Sequence, residues 1–129
     1  MKKYIVTFLL PLIYSSTMAQ EKLTREDLLQ AVLNNENVST VEIKKVTIPK
    51  GMGAGKHLHP CPVVGYIVSG NVLFQEEGEE QKTLKAGDAF YEPKNKTILH
   101  FDNASTGEPL VFIAFYLKKG NEELIKMLN

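Results

Sequence analysis

The spacing of apolar residues changes character twice along the chain. From Tyr4 to Tyr14 almost every residue is apolar, behind Lys2 and Lys3 and ahead of Ser15, Ser16, Thr17, Met18 and Ala19. A short basic start, an apolar stretch and a small-residue end make the pattern of a secretory signal peptide, with Thr17 and Ala19 placed for cleavage before Gln20. The run is too short for a bilayer core, which takes about 20 helical residues, and Pro11 interrupts it. The expectation is therefore a periplasmic or secreted bacterial protein that loses residues 1–19 and keeps no stable membrane insertion.

Residues 20–40 follow a different rhythm. Leu23, Leu28, Leu29, Val32 and Leu33 fall mostly on one side of a helix that Thr24 can cap, with Glu26 and Asp27 in the first turn, where negative charge suits the dipole. Asn34, Asn35 and Asn37 would end it. From Val41 the pattern turns to short runs of Val, Ile, Phe, Thr and Tyr, punctuated by Gly, Pro, Asn or Asp. These runs predict eight strands, near 41–48, 56–59, 63–69, 72–76, 81–84, 89–92, 97–102 and 109–117, hence an all-β sandwich or barrel over 41–117. Gly70-Asn71 reads as a two-residue hairpin turn, and Glu76, Glu77, Glu79 and Glu80 around Gly78 as a solvated hairpin tip. Leu110 to Leu117 is apolar throughout, as in a strand covered on both faces. Within residues 118–129, Asn121 to Leu128 predicts a short closing helix carrying Leu124, Ile125 and Leu128.

Composition narrows the functional classes. The 129 residues carry 15 Lys+Arg and 15 Asp+Glu, so no basic field is available to neutralise phosphates, and nucleic acid is not expected as a partner. Loss of Lys2 and Lys3 with the leader leaves a slightly acidic domain. One cysteine, Cys61, cannot form an intramolecular disulfide or a multi-thiolate zinc site. Set between Pro60 and Pro62, it reads as a small buried thiol in a rigid turn.

Three histidines remain as the unusual resource. His57 and His59 stand at i and i+2, which in a strand puts both imidazoles on one face. His100 lies in an apolar strand, where an isolated imidazole otherwise has little reason to be. Neutral imidazole is a ligand for Zn, Fe, Ni, Cu or Mn, and the three together point to a metal site. Glu92 shares a face with Phe90 by alternation: pointing inward it would be a fourth ligand or a general base, and pointing outward a solvated edge residue. Tyr91 is the other acid/base candidate nearby. The aromatics Tyr66, Phe74, Phe90, Phe101, Phe112 and Tyr116 read first as packing.

With those residues in place, the sequence resembles the cupin superfamily. Gly51, five residues, His57-Leu58-His59 and, further on, Gly70 look like the first cupin motif. Gly87, five residues, Pro93, and later His100 and Asn103 look like a looser copy of the second. The resemblance implies a jelly-roll β-barrel holding a divalent transition metal (Fe, Zn, Mn or Ni) through residues of both motifs. Val63 stands where the first motif has its glutamate, so the resemblance implies a three-histidine site of His57, His59 and His100. In the second motif Asn95 replaces the glycine after Pro93, two extra residues precede His100, and Asn103 comes one residue early. A metal held by three imidazoles keeps open positions, as catalytic sites do. Three functions remain open: an enzyme of dioxygenase or isomerase type acting on a small molecule, a non-catalytic cupin that binds a metal or small ligand, and a metal-free structural barrel. A homodimer through an edge strand such as 41–48 is a further expectation, although Lys44 and Lys45 blunt that edge.

Overall fold

The computed structural model describes residues 1–2 and 19–129; most of the expected leader therefore lies outside the described residues. Nine strands follow in order: β1 Thr40–Ile48, β2 His57–Leu58, β3 Val63–Ser69, β4 Asn71–Glu76, β5 Lys82–Lys85, β6 Ala89–Glu92, β7 Ile98–Asn103, β8 Leu110–Lys118 and β9 Lys126–Met127. They form a four-stranded sheet in the order β1-β8-β3-β6 and a five-stranded sheet in the order β5-β4-β7-β2-β9. Every pairing between them is antiparallel. The all-β jelly roll is thus what the alternating runs specify, and β1 is an edge strand.

The two inner faces meet through aromatic rings. Phe90 on β6 and Phe112 on β8 come from one sheet, Phe101 on β7 and Phe74 on β4 from the other. Phe101 packs on Phe112 at 4.9 Å and on Phe90 at 5.0 Å between ring centroids. Edge and tilted contacts at such distances add roughly 0.5–1.5 kcal/mol each to their area burial. On β8 alternation is strict: Leu110, Phe112, Ala114 and Tyr116 point inward and are buried.

Three local expectations are corrected. Among the described residues there is no helix: residues 20–33 run without regular structure to a turn at Asn34 and Asn35, both at positive φ. Leu23, Leu28, Leu29 and Val32 stay largely exposed, so the apolar stripe gains little burial, and an isolated helix of that length is marginal. The closing helix is absent as well. Residues 126–127 pair as β9 with β2 instead, and the Leu128 amide donates to the Lys56 carbonyl at 2.9 Å, so sheet pairing overrides local helix preference. Finally, Gly70, at φ +83, does not close a hairpin. It passes the chain from one sheet to the other, with the Pro109 carbonyl so close that a Cβ would stand 2.9 Å from its oxygen. The acidic tip, by contrast, is a hairpin turn between the paired strands β4 and β5.

Candidate metal centre

Three buried side chains converge where the sheets open. His57 begins β2, His59 follows just beyond it, and Glu92 ends β6 on the other sheet. The i, i+2 spacing does what it promised: the two imidazoles share a face, their ring centroids 5.0 Å apart. Glu92 points inward with Phe90, as alternation allows. Its Oε2 lies 3.0 Å from His59 Nε2 and its Oε1 3.7 Å from His57 Nε2. One donor atom from each residue lies within 4.8 Å of the others.

The backbone holds these groups in place. The Asn95 amide donates to the His59 carbonyl at 2.8 Å, tying the turn after Glu92 to the loop that carries His59. That turn needs Asn95 at φ 58, a conformation asparagine tolerates. Val63, directly across the β3–β6 ladder, is the register partner of Glu92. The carboxylate absent from position 63 is therefore supplied from directly across the ladder, where opposed side chains of antiparallel strands stand about 5 Å apart.

The hydrogen bonds of the rings carry the chemical information. His57 Nδ1 donates to the Gly55 carbonyl at 2.7 Å, and His59 Nδ1 donates to the Leu124 carbonyl. A carbonyl only accepts, so the protons sit on Nδ1 and both Nε2 lone pairs face the carboxylate. Lone pair against carboxylate is repulsive unless a cation or a proton lies between. Glu92 Oε1 is buried without any hydrogen-bond partner. Burial opposes charge on His57, yet Glu92 and the Gly55 carbonyl outweigh it and hold the imidazole above its usual pKa. Burial likewise opposes charge on Glu92, but the two imidazoles prevail and hold its carboxyl below the ordinary range. The site is built for positive charge.

The donor set fits a metal. Ligands about 2.1 Å from an ion stand roughly 3.0–3.4 Å apart at tetrahedral to octahedral angles, close to the spacing between Glu92 and the two imidazoles. Each histidine has its second nitrogen fixed by a carbonyl, the outer arrangement typical of ligating imidazoles. Two imidazoles and one carboxylate leave open coordination positions.

Beside the cluster lies a cavity of about 190 Å³. Its walls are Val46, Ile48, Val63, Phe101, Phe112 and Ala114, with Tyr116 near His59 and Ile125 at the mouth. The Tyr116 ring stands edge-on to His59 at 5.7 Å. Burial and then the charge of Glu92 push its phenol up to about 12, so it remains a protonated donor at neutral pH.

Two expected site residues lie elsewhere. His100 is not in the cluster: its ring is exposed and its Nδ1 lies 2.7 Å from Asp102 Oδ2. The reason is the register shift between Gln75 and Glu76 opposite β7, with Ile98, Phe101 and Asn103 taking the buried positions. Tyr91 alternates with Glu92 and faces away from the cavity, across from Val64. Asn103, the other residue of the second motif, is structural: its side-chain amide donates to the Ile48 and Glu108 carbonyls at 3.1 and 2.8 Å. Cys61 is fully buried, and burial raises its thiol pKa, as expected of a packing residue. Tyr116 was legible only as packing, and Leu124 acts through its backbone, for which no side-chain pattern exists.

Comparison with known proteins agrees with this architecture. Residues 44–116 match the Cupin_2 family, the cupin domain, and the chain belongs to that family. Among solved structures, a cupin-like protein from Thermotoga maritima is 25% identical at a TM-score of 0.59, covering 69% of this chain and 65% of that one. The oxalate decarboxylase of Bacillus subtilis is 23% identical at a TM-score of 0.60, covering 69% and 24%. The DMSP lyases RdDddP and RnDddQII are represented at 20% identity and a TM-score of 0.60, covering 69% and 44%. The chain spans less than two thirds of the length of each of these structures. A search of curated proteins finds no match.

Proposed function

We propose that this cupin binds a divalent transition metal through His57, His59 and Glu92 and uses it to act on a small molecule held in the adjacent cavity. One observation carries the reading. Both Nδ1 protons are committed to carbonyls, so two lone pairs and a carboxylate with an unpaired oxygen face one another in a buried space. Without a metal, a proton must take its place, and the raised pKa of His57 reflects that demand.

A bound ion would supply Lewis acidity at its open positions or, if iron, the means to activate dioxygen; two histidines with one carboxylate is the donor set of non-haem iron oxygenases. The protein's own part is narrower. His57, His59 and Glu92 hold the ion's charge at about plus one. The apolar walls exclude water, and Tyr116 presents an O–H beside the ligands. A dioxygenase- or isomerase-type reaction is the reading this arrangement supports. One observation favours a non-catalytic binder instead: among the described residues lining the cavity, Tyr116 is the one titratable group besides the ligands. We further propose that the protein is exported after loss of residues 1–19.

Elemental analysis of purified protein under metal-replete conditions tests the site. About one equivalent is expected in the wild type and none in His59→Ala or Glu92→Leu; full retention in both variants would refute the reading. Oxygen uptake by the iron-loaded protein with small phenols, diketones and thiols separates enzyme from binder, turnover with any of them favouring the enzyme. N-terminal sequencing of exported material should begin at Gln20, and an intact Met1 would refute cleavage there.

A further inference from the structure

We propose that the segment from Gly120 to Asn129 is a strap that orients the metal ligands and limits what enters, selecting a ligand with one anionic donor and an apolar body about the size of a single ring. This rests on the metal reading above and extends it to the ligand.

The strap touches both histidines. The Leu124 carbonyl accepts the His59 Nδ1 proton. Met127 pairs with His57 across the β2–β9 ladder and packs so closely on Gly55 that a Cβ there would stand 2.9 Å from its Cε. Gly55 in turn supplies the carbonyl that holds His57. The base of the strap is fastened by Glu122, which accepts the Lys119 amide at 2.8 Å and lies 3.5 Å from Lys94 Nζ. Between these anchors Ile125 lines the cavity while remaining 42% exposed, which places it at the mouth.

The ligand class follows from charge and volume. Among the described residues lining the cavity there is no Lys or Arg, so the metal is the one cation an anionic group would meet there, with the Tyr116 hydroxyl as a neutral donor. An ion of charge two beside one carboxylate leaves about one positive charge, enough for a monoanion. A second carboxylate that cannot reach the ion, such as the para group of terephthalate, would have to lie unpaired against Val, Ile and Phe, at a cost of several kcal/mol. The cavity's 190 Å³ exceeds the roughly 150 Å³ of an engineered apolar cavity that takes up benzene, so a single ring fits, and a fused pair would have to reach out past Ile125 at the mouth.

Cobalt-loaded protein, followed by its visible absorption, provides the test. Acetate, benzoate, 2-naphthoate and terephthalate are titrated against the wild type, Ile125→Trp and Ile125→Ala. Benzoate is expected to bind about tenfold or more tighter than acetate, from burial of the ring, and terephthalate more weakly than benzoate. Ile125→Trp should reduce the benzoate-to-acetate ratio by about tenfold, and Ile125→Ala should admit 2-naphthoate. A ratio that moves less than about threefold in Ile125→Trp together with no 2-naphthoate binding in Ile125→Ala, or terephthalate binding as tightly as benzoate, overturns the proposal. Termination after Glu123 removes the Leu124 carbonyl. In that variant, if folded, cobalt affinity should drop about 10- to 100-fold with shifted absorption bands, as for loss of a partner that orients a ligand; unchanged bands and affinity overturn the orienting role. If it does not fold, the Ile125 pair still decides. Failure of the wild type to bind cobalt refutes the metal site and the strap with it, whereas cobalt binding without a size effect refutes the strap alone.

Discussion

Two imidazole–carboxylate pairs in this protein share their chemistry and differ in everything else. His59 and Glu92 meet at 3.0 Å with side chains 5% and 4% exposed; His100 and Asp102 meet at 2.7 Å with side chains 46% and 30% exposed. The outer pair is the shorter one, yet water solvates its charges and screens their attraction, so such a contact contributes roughly 0–1 kcal/mol. The inner pair has lost its water, has a second imidazole beside it, and leaves Glu92 Oε1 unpaired. Proximity is common to both pairs, and only the buried one creates a demand that a cation would meet.

The largest expected difference is in metal content. His59→Ala and His57→Ala should abolish stoichiometric binding, while His100→Ala keeps the wild-type equivalent. A His100→Ala protein without metal would erase the contrast between the pairs.

Next in size is stability. A metal at about 1,000 times its dissociation constant stabilises the fold by roughly 4 kcal/mol. The melting temperature of wild type and of His100→Ala should therefore rise on metal addition and fall back with a chelator. Glu92→Leu should show neither change.

Tyr116 gives a smaller and pH-dependent effect. Its folded pKa of about 12 lies above the ordinary value of 10.0, so the folded state resists ionisation. The stability this contributes is complete below about pH 10 and is lost as pH rises toward 12. Thermal melts across that window should decline more steeply for wild type than for Tyr116→Phe, and parallel declines would show that the phenol titrates normally. The smallest effect is that of the outer pair: His100→Gln should change stability by no more than about 1 kcal/mol, checked by denaturant unfolding.

The contrast also marks where the sequence was readable. A two-residue period makes the convergence of His57 and His59 legible without coordinates, and the same period puts Glu92 on the face of Phe90. Which way that face pointed depended on sheet packing, and Phe90 in the aromatic core answers it. For His100, spacing misled: the strand pairing opposite it shifts by a residue, and a one-residue slip exchanges the inner face for the outer one. Leu23, Leu28, Leu29 and Val32 carry a helical stripe that is never buried, and residues 126–127 follow a partner strand over their local preference. The carbonyls of Gly55 and Leu124 that fix the imidazoles leave no side-chain trace.

Ala114 has a consequence beyond its place on β8. It lies fully inward between Phe112 and Tyr116 and forms part of the cavity wall, so some of the room beside the metal ligands exists because this side chain is a single methyl. The ligands reside on β2, the loop after it, and β6; the methyl resides on β8. In an evolving lineage, pocket size and pocket chemistry are therefore separately inherited traits. A valine at position 114 would shrink the space and change the molecules admitted, while leaving every donor atom where it stands.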